Sequence, residues 1–246
     1  FAWGPCYFIC LDANNTSGSA FDNHDTLNAG DTPDWEPGSE QYQWLIGRLD
    51  QARRQAAFTF VFFHVAPYAR GVHGTDSPAI DGQRGYEVRA LDPVFRQYGV
   101  DGVFNGHDHL VERCLTGPEE GGGPANAPGG PTNAAAWPDE RNLNYFVQGN
   151  IRDARAAQAG WTNWMSIADN GEGPYYTAYF YDWGGTTNLY VSFNEVDISY
   201  QAAKRKWQAD FRVVRSDLSG NTSEHDVFSI QRDPPPGIRL SLFQVR

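Results

Sequence analysis

The first 105 residues alternate between short apolar runs and amphipathic stretches. The apolar runs are rich in aromatic and β-branched side chains and are bounded by turn residues, which predicts buried strands. The amphipathic stretches repeat apolar residues every three or four positions, which predicts helices. The predicted order is strand 6–12, helix from about 40, strand 58–63, helix 86–98 and strand 100–105. This order indicates an α/β fold, in which functional groups gather at the carboxyl ends of the strands.

The helices carry signals for their boundaries and for their buried faces. The first helix begins at about Glu40 and presents one apolar stripe, formed by Trp44, Leu45, Leu49 and Ala52. The second helix is expected to restart at Asp92 and Pro93, as an N-cap followed by proline at the first helical position. Gly99 suits the position directly after the end of that helix.

The remaining sequence predicts loops and a strand-rich C-terminal part. Residues 13–39 are rich in Asn, Asp, Gly, Ser and Pro and are typical of a long loop. Residues 116–142 contain Gly-Gly-Gly-Pro and Pro-Gly-Gly-Pro, which predicts a flexible surface insertion. The strands predicted after it are 143–148, 175–183, 187–198, 206–214, 226–231 and 238–245. Without a repeat or a clear boundary, residues 1–246 are interpreted as belonging to one domain.

Charge and cysteine content restrict the partners. The 246 residues include 30 acidic and 19 basic side chains, a formal net charge of −11. This balance argues against nucleic acid or an anionic membrane as a partner, and no apolar run reaches the roughly 20 residues of a membrane span. Cys6 and Cys10 would lie on one face of a strand, too far apart to bond each other. They and Cys114 are interpreted as small buried side chains.

Three of the six histidines follow predicted strands. His64 ends the strand at 58–63, and Gly106 joins the strand at 100–105 to His107 and His109. If the two strands are neighbours, three imidazoles converge at one edge of a sheet, where they suit zinc, iron and related metals. The alternative interpretation is that each imidazole is satisfied separately by a backbone carbonyl.

The sequence around these histidines resembles the calcineurin-like metallophosphoesterases, in the form seen in purple acid phosphatases and their bacterial relatives. Gly-His-Asp-His-Leu-Val-Glu-Arg at 106–113 resembles the family's Gly-His-x-His block, and His-Val-Ala-Pro-Tyr at 64–68 resembles the histidine block before it. Gln41, Trp44 and Leu45 match the family's intervening helix, and residues 226–230 resemble its closing strand. The resemblance covers most of the chain.

The resemblance implies the C-terminal half of a β-sandwich flanked by helices, with a two-metal centre at its end. His64 and His107 would bind one metal ion and His109 the other, the ions being Fe, Zn or Mn. Such a centre activates water for in-line attack on a phosphate ester and stabilises the charge on the phosphoryl oxygens. His73 lies near the place of a histidine that contacts substrate or leaving group in purple acid phosphatases, which makes it the candidate catalytic residue, although its spacing differs. The alternative interpretation of His73 is a solvent-exposed loop histidine.

The family's earlier metal-binding blocks are not in their expected places. Residues 21–25 and 30–34 imitate two of them, but in the wrong order and after the first strand, so they are interpreted as loop coincidences. Three neutral imidazoles do not offset two dications, and this chain alone is not expected to assemble a two-metal site. The expected partners are a phosphate-ester small molecule and a missing N-terminal half, from the same precursor or a separate chain. Without that half, the strand at 6–12 is expected to have an exposed edge.

Three functions stay open from the sequence. The first is metal-dependent hydrolysis of phosphate esters by a completed two-metal centre. The second is a non-catalytic binding or structural protein that keeps the fold without the metals. The third is a mononuclear metal-binding domain that uses His64, His107 and His109 alone. The Asn-x-Ser/Thr triplets, the sparse cysteines and the resemblance favour a secreted or periplasmic protein.

Overall fold

The computed structural model describes residues 1–13, 37–68, 85–107, 111–116, 143–148, 165–167, 175–181, 190–217 and 219–235. These residues form two α-helices, α1 (Glu40–Gln55) and α2 (Asp92–Gln97), with a 3-10 helix at Gly85–Leu91. The strands are β1 (Ala2–Trp3), β2 (Cys6–Cys10), β3 (Phe58–Phe62), β4 (Gly102–Asn105), β5 (Val111–Thr116), β6 (Leu143–Gln148), β7 (Met165–Ile167), β8 (Tyr175–Tyr181), β9 (Tyr190–Gln201), β10 (Lys206–Asp217) and β11 (Thr222–Arg232). The chain is a mixed α/β protein that becomes strand-rich towards its C-terminal part, which confirms the predicted fold class.

The described strands form two sheets. The larger sheet has the order β1-β2-β3-β4-β6-β5-β8-β7, and the smaller sheet is antiparallel with the order β11-β10-β9. Within the larger sheet β2, β3, β4 and β6 run parallel, while the other pairings are antiparallel. The parallel pairings bring the carboxyl ends of β3, β4 and β6 to one edge, the usual place of a functional site in such sheets.

The larger sheet is covered on both of its faces. One face packs against the helices, in a core that includes Leu45, Leu49, Leu91 and Phe95. The other face packs against the smaller sheet through an aromatic cluster that includes Phe60, Phe146, Phe211 and Phe228. Two packed sheets with helices on the outer face confirm the expected sandwich flanked by helices.

Helix α1 begins where the sequence predicts it, and its buried stripe is narrower than expected. The hydroxyl of Ser39 caps the helix by accepting a hydrogen bond from the Tyr42 amide at 3.1 Å. Leu45, Leu49 and Ala52 are buried. Trp44 is 44% exposed, so its assignment to the buried stripe is wrong. Trp44 directly precedes Leu45, and successive residues point about 100° apart around a helix.

Helix α2 restarts at Asp92 and Pro93 as predicted, but Asp92 does not act as its N-cap. Leu91 occupies that position without a side-chain cap. The buried carboxylate of Asp92 instead accepts hydrogen bonds from the Thr116 hydroxyl at 2.5 Å and the Tyr145 hydroxyl at 2.9 Å. Burial, with Asp92 beside it, holds the pKa of Tyr145 well above its ordinary value. A tertiary network therefore replaces the local cap.

The outer edge of β2 is largely covered, which corrects the expectation of an exposed edge strand. β1 pairs with its first half, and the Phe8 amide donates to the Phe1 carbonyl at 2.8 Å. Beyond the strand, the Gln41 side chain accepts from the Asp12 amide at 2.9 Å and donates to the Asp12 carbonyl at 2.8 Å. The backbone of Cys10 lies between the part of β2 that pairs with residues 1–3 and Asp12, which Gln41 contacts. A short strand and one amide side chain therefore protect this edge.

The cysteines lie within the described residues, and none is in a disulfide bond. Cys6 and Cys114 are buried as expected, whereas Cys10 is exposed, so its interpretation as a buried side chain is wrong. Burial, with a smaller contribution from Asp101, raises the pKa of Cys6 to about 12. Since the thiolate is the nucleophile, Cys6 stays protonated and unreactive at pH 8.

We therefore expect one fast-reacting thiol in the native protein. With Ellman's reagent at pH 8, Cys10 should react first, and the two buried cysteines should react only after denaturation. Cys10→Ser should abolish the fast phase and leave two thiols in denaturant. Rapid release of two or more equivalents from the native protein would contradict this burial pattern.

Two ion pairs, one buried and one partly buried, tie the smaller sheet to the larger one. Arg113 in β5 contacts Asp226 in β11, with Nε 2.6 Å from Oδ2. Arg232 at the end of β11 donates from Nε to Oδ1 of Asp101 at 2.7 Å. The other oxygen of Asp101 accepts from the Thr59 amide in β3 at 2.8 Å. Charged groups thus fix the position of β11 against strands of the larger sheet.

Five of the six strands predicted after residue 142 are present in the structure. β6 has its predicted bounds, and the strands at 175–183, 187–198, 206–214 and 226–231 correspond to β8–β11 with shifted ends. β1, β5 and β7 were not predicted. Most of the predicted loop at 13–39, nearly all of the insertion at 116–142 and the strand at 238–245 lie outside the described residues. Within the part of the chain that the structure describes, no helix has the length and apolarity needed to cross a membrane.

Candidate metal centre

The two histidine segments meet at the carboxyl ends of adjacent parallel strands. β3 and β4 pair in parallel with Phe62 opposite Phe104. His64 follows β3 and His107 follows β4, so both lie at the same edge of the larger sheet. The Gly106 amide donates to the His64 carbonyl at 2.9 Å and joins the two segments beyond the ends of the strands. The predicted convergence of these two histidines is confirmed.

One nitrogen of the His64 imidazole lies close to one nitrogen of the His107 imidazole. Nε2 of His64 lies 3.2 Å from Nδ1 of His107, and the ring centroids are 5.1 Å apart at an interplanar angle of 74°. His64 is exposed and His107 is partly buried. Two nitrogens bound to one tetrahedral zinc at about 2.0–2.1 Å lie about 3.3 Å apart. The 3.2 Å contact is a hydrogen bond between the two rings, and the same separation is compatible with two positions in the coordination sphere of one metal ion.

The backbone at His107 has an unusual conformation. His107 has φ +70°, in the left-handed region that few non-glycine residues adopt. Gly106, directly before it, lies against the His64 ring, and a Cβ there would lie 3.5 Å from Nδ1 of His64. Strained backbone of this kind concentrates at functional sites, where the surrounding structure holds it in place. The turn at 106–107 is what directs the second imidazole towards the first.

Two amide side chains at this edge, one buried and one partly buried, were not singled out from the sequence. Asn105, the last residue of β4, donates from Nδ2 to the Phe63 carbonyl at 2.9 Å. Gln148, the last residue of β6, follows Val147, which pairs with Asn105, and it donates to Ser192 at 2.7 Å. The only sequence signal for Asn105 is its place between a strand and a Gly-His pair. Gln148 carries no such signal.

The other two predicted site residues, His73 and His109, lie outside the described residues, so their roles stay predictions. Among the residues that the structure describes, no group of three or more His, Cys, Asp or Glu side chains is placed to hold a metal ion. The described residues therefore bring two imidazoles together, those of His64 and His107, without a third ligand of these types. Neutral imidazoles alone do not offset the charge of two metal ions.

The final residues of the Gly-His-Asp-His-Leu-Val-Glu-Arg motif have a structural role. Arg113 holds Asp226 with two hydrogen bonds, Nε to Oδ2 at 2.6 Å and Nη2 to Oδ1 at 2.7 Å. Asp226 begins the segment that resembles a closing strand. The ion pair thus connects β5, the strand after the histidines, to β11, which is far from it in the sequence.

No protein-family model and no curated protein matches this chain. Among solved structures, it is similar to the purple acid phosphatase PPD1 from yellow lupin (Lupinus luteus) seeds, at 15% identity and a TM-score of 0.45. That match covers 81% of this chain and 29% of the lupin chain. It is also similar to GAP50, the anchor in the inner membrane complex of Plasmodium, at 13% identity and a TM-score of 0.34. The second match covers 76% of this chain and 42% of the GAP50 chain.

Proposed function

We propose that the chain supplies the histidine part of a two-metal centre that hydrolyses phosphate esters. The observation that carries this proposal is the 3.2 Å separation between Nε2 of His64 and Nδ1 of His107 at the ends of adjacent parallel strands. Imidazole nitrogens are typical ligands of zinc and iron, and the proposed ions are Fe, Zn or Mn. The histidine motifs around the two residues resemble those of the calcineurin-like metallophosphoesterases.

In this proposal His64 and His107 hold one metal ion, and His109 holds the second. Bound metal ions would polarise the phosphoryl oxygens and lower the pKa of water. The contribution of this chain is to orient the donors: the 106–107 turn directs His107, and the Gly106 amide fixes the backbone at His64. His73 is proposed to contact the substrate or the leaving group.

The remaining ligands are proposed to come from a further segment, in the same precursor or in a separate chain. Two metal ions need carboxylates as well as neutral imidazoles, and the formal net charge of −11 would repel a phosphate ester unless bound cations attracted it. We propose no nucleic-acid or membrane partner, and a secreted or periplasmic location.

The test is hydrolysis of an aryl phosphate by the full gene product. We expect two equivalents of Fe, Zn or Mn per chain, and a loss of at least about a hundredfold in kcat/KM for His107→Ala, because a direct ligand is removed. His225→Ala is the matched control, since His225 lies in β11 of the smaller sheet, and it should retain activity.

Two outcomes would contradict the proposal. A metal-free full gene product that hydrolyses no aryl phosphate would favour the non-catalytic alternative. Two bound metal ions with unchanged hydrolysis in His107→Ala would place the catalytic centre elsewhere.

A further inference from the structure

Three consecutive backbone carbonyls just beyond β3 accept hydrogen bonds from Asn105, the last residue of β4, and from Gly106, which follows it. The side-chain Nδ2 of Asn105 donates to the Phe63 carbonyl at 2.9 Å and to the Val65 carbonyl at 3.4 Å. Between them, the His64 carbonyl accepts from the Gly106 amide at 2.9 Å. The backbone is therefore fixed at His64 and on both sides of it, at a point where regular pairing of β3 has ended.

The amide group of Asn105 is satisfied at one end only. The residue is 6% exposed, and its Oδ1 is buried without a donor among the described residues. Burial of that oxygen costs stability, whereas Nδ2 satisfies two backbone carbonyls that an apolar side chain would leave without this donor. What the asparagine adds is its two N–H donors, and both are directed at the carbonyls that flank His64.

We propose that Asn105 is a positioning residue of the candidate metal centre. Its amide group sets the backbone around His64 and thereby the approach of that imidazole to His107. Residues that orient metal ligands typically change metal affinity by about 10–100-fold when they are removed. This inference rests on the proposed function, because it assigns Asn105 to the metal that His64 and His107 would share.

The test measures Zn²⁺ affinity of the full gene product, which also carries the proposed remaining ligands, by competition with a chromophoric chelator. Asn105→Leu keeps the volume and removes the donors, and Asn105→Ala is the second variant if leucine prevents folding. Both should bind Zn²⁺ about 10–100-fold more weakly. The matched control is Asn144→Leu, at a buried asparagine of β6 that accepts from Arg113 at 3.0 Å. That variant should lose stability and keep its Zn²⁺ affinity within about twofold.

Amide hydrogen exchange in the metal-free protein gives a second readout. The Gly106 amide should exchange at least about tenfold faster in both Asn105 variants, and not in Asn144→Leu, because the segment it holds has been released. Unchanged exchange at Gly106, or unchanged Zn²⁺ affinity with faster exchange, would overturn the positioning role. If the unsubstituted full gene product binds no Zn²⁺, the proposed function fails, while faster exchange would still support Asn105 as the residue that fixes this segment.

Discussion

Replacing Arg113 with leucine is expected to lower the free energy of unfolding by about 3–5 kcal/mol, because it leaves a buried carboxylate without its partner. The side chains of Arg113 and Asp226 are 2% and 8% exposed, and two hydrogen bonds of 2.6 and 2.7 Å join them. Arg113 also donates to Asn144 at 3.0 Å and lies 4.1 Å from the centre of the Phe228 ring. The substitution removes all of these contacts at once.

Urea denaturation of the variant and two controls would measure this effect. Arg212→Leu removes an arginine from β10 that contacts three carboxylates, but those carboxylates are exposed, so the loss should be far smaller. Adding Asp226→Asn to Arg113→Leu should recover part of the stability, since the uncompensated charge is removed. Equal losses for Arg113→Leu and Arg212→Leu would contradict the buried ion pair as a tie between the sheets.

Replacing Phe211 with alanine is expected to cost about 3–5 kcal/mol, the usual range for removing a buried phenylalanine. Phe211 is 2% exposed and lies between the two sheets. Its ring stacks on Phe228 at 4.7 Å and on Phe146 at 5.5 Å, and it meets Phe60 edge-on at 6.1 Å. The cavity would open at the centre of the sandwich, where strands of both sheets hinder collapse.

The matched control lies in the neighbouring strand. Phe193→Ala in β9 removes the same side chain from a position that is 46% exposed, and it should change the stability by no more than about 0.5 kcal/mol. Thermal denaturation of both variants would show the difference as a large shift in Tm for Phe211→Ala alone. A similar shift for both would mean that the aromatic cluster does not hold the sheets together.

Sequence periodicity predicted the α/β part of the fold because its strands are continuous apolar runs. β5 was missed for a physical reason: Glu112 and Arg113, taken as whole residues, are each 1% exposed, although their charges are typical of a solvated segment. The partner of Arg113 lies 113 residues further along the chain, so no local pattern could indicate it. The exposure of Trp44 was missed because a hydrophobic stripe does not reveal how wide the covering surface is.

The sequence predicted the convergence of those site residues that directly follow predicted strands. His64 and His107 directly follow buried strands, and parallel pairing of those strands is enough to bring them together. The role inferred for Asn105 depends on carbonyls about 40 residues earlier in the chain, which become neighbours only in the fold. His73 and His109 stay predictions from the sequence.

The claim that His64 and His107 share one metal ion is tested most directly by titrating the metal-free full gene product with Co²⁺ and following the visible absorption. We expect His64→Ala and His107→Ala each to remove the signal of one of the two bound ions. The double variant should lose nothing further, because both nitrogens serve the same ion. Losses that add across the two variants, or an undiminished signal after either substitution, would contradict a shared metal site.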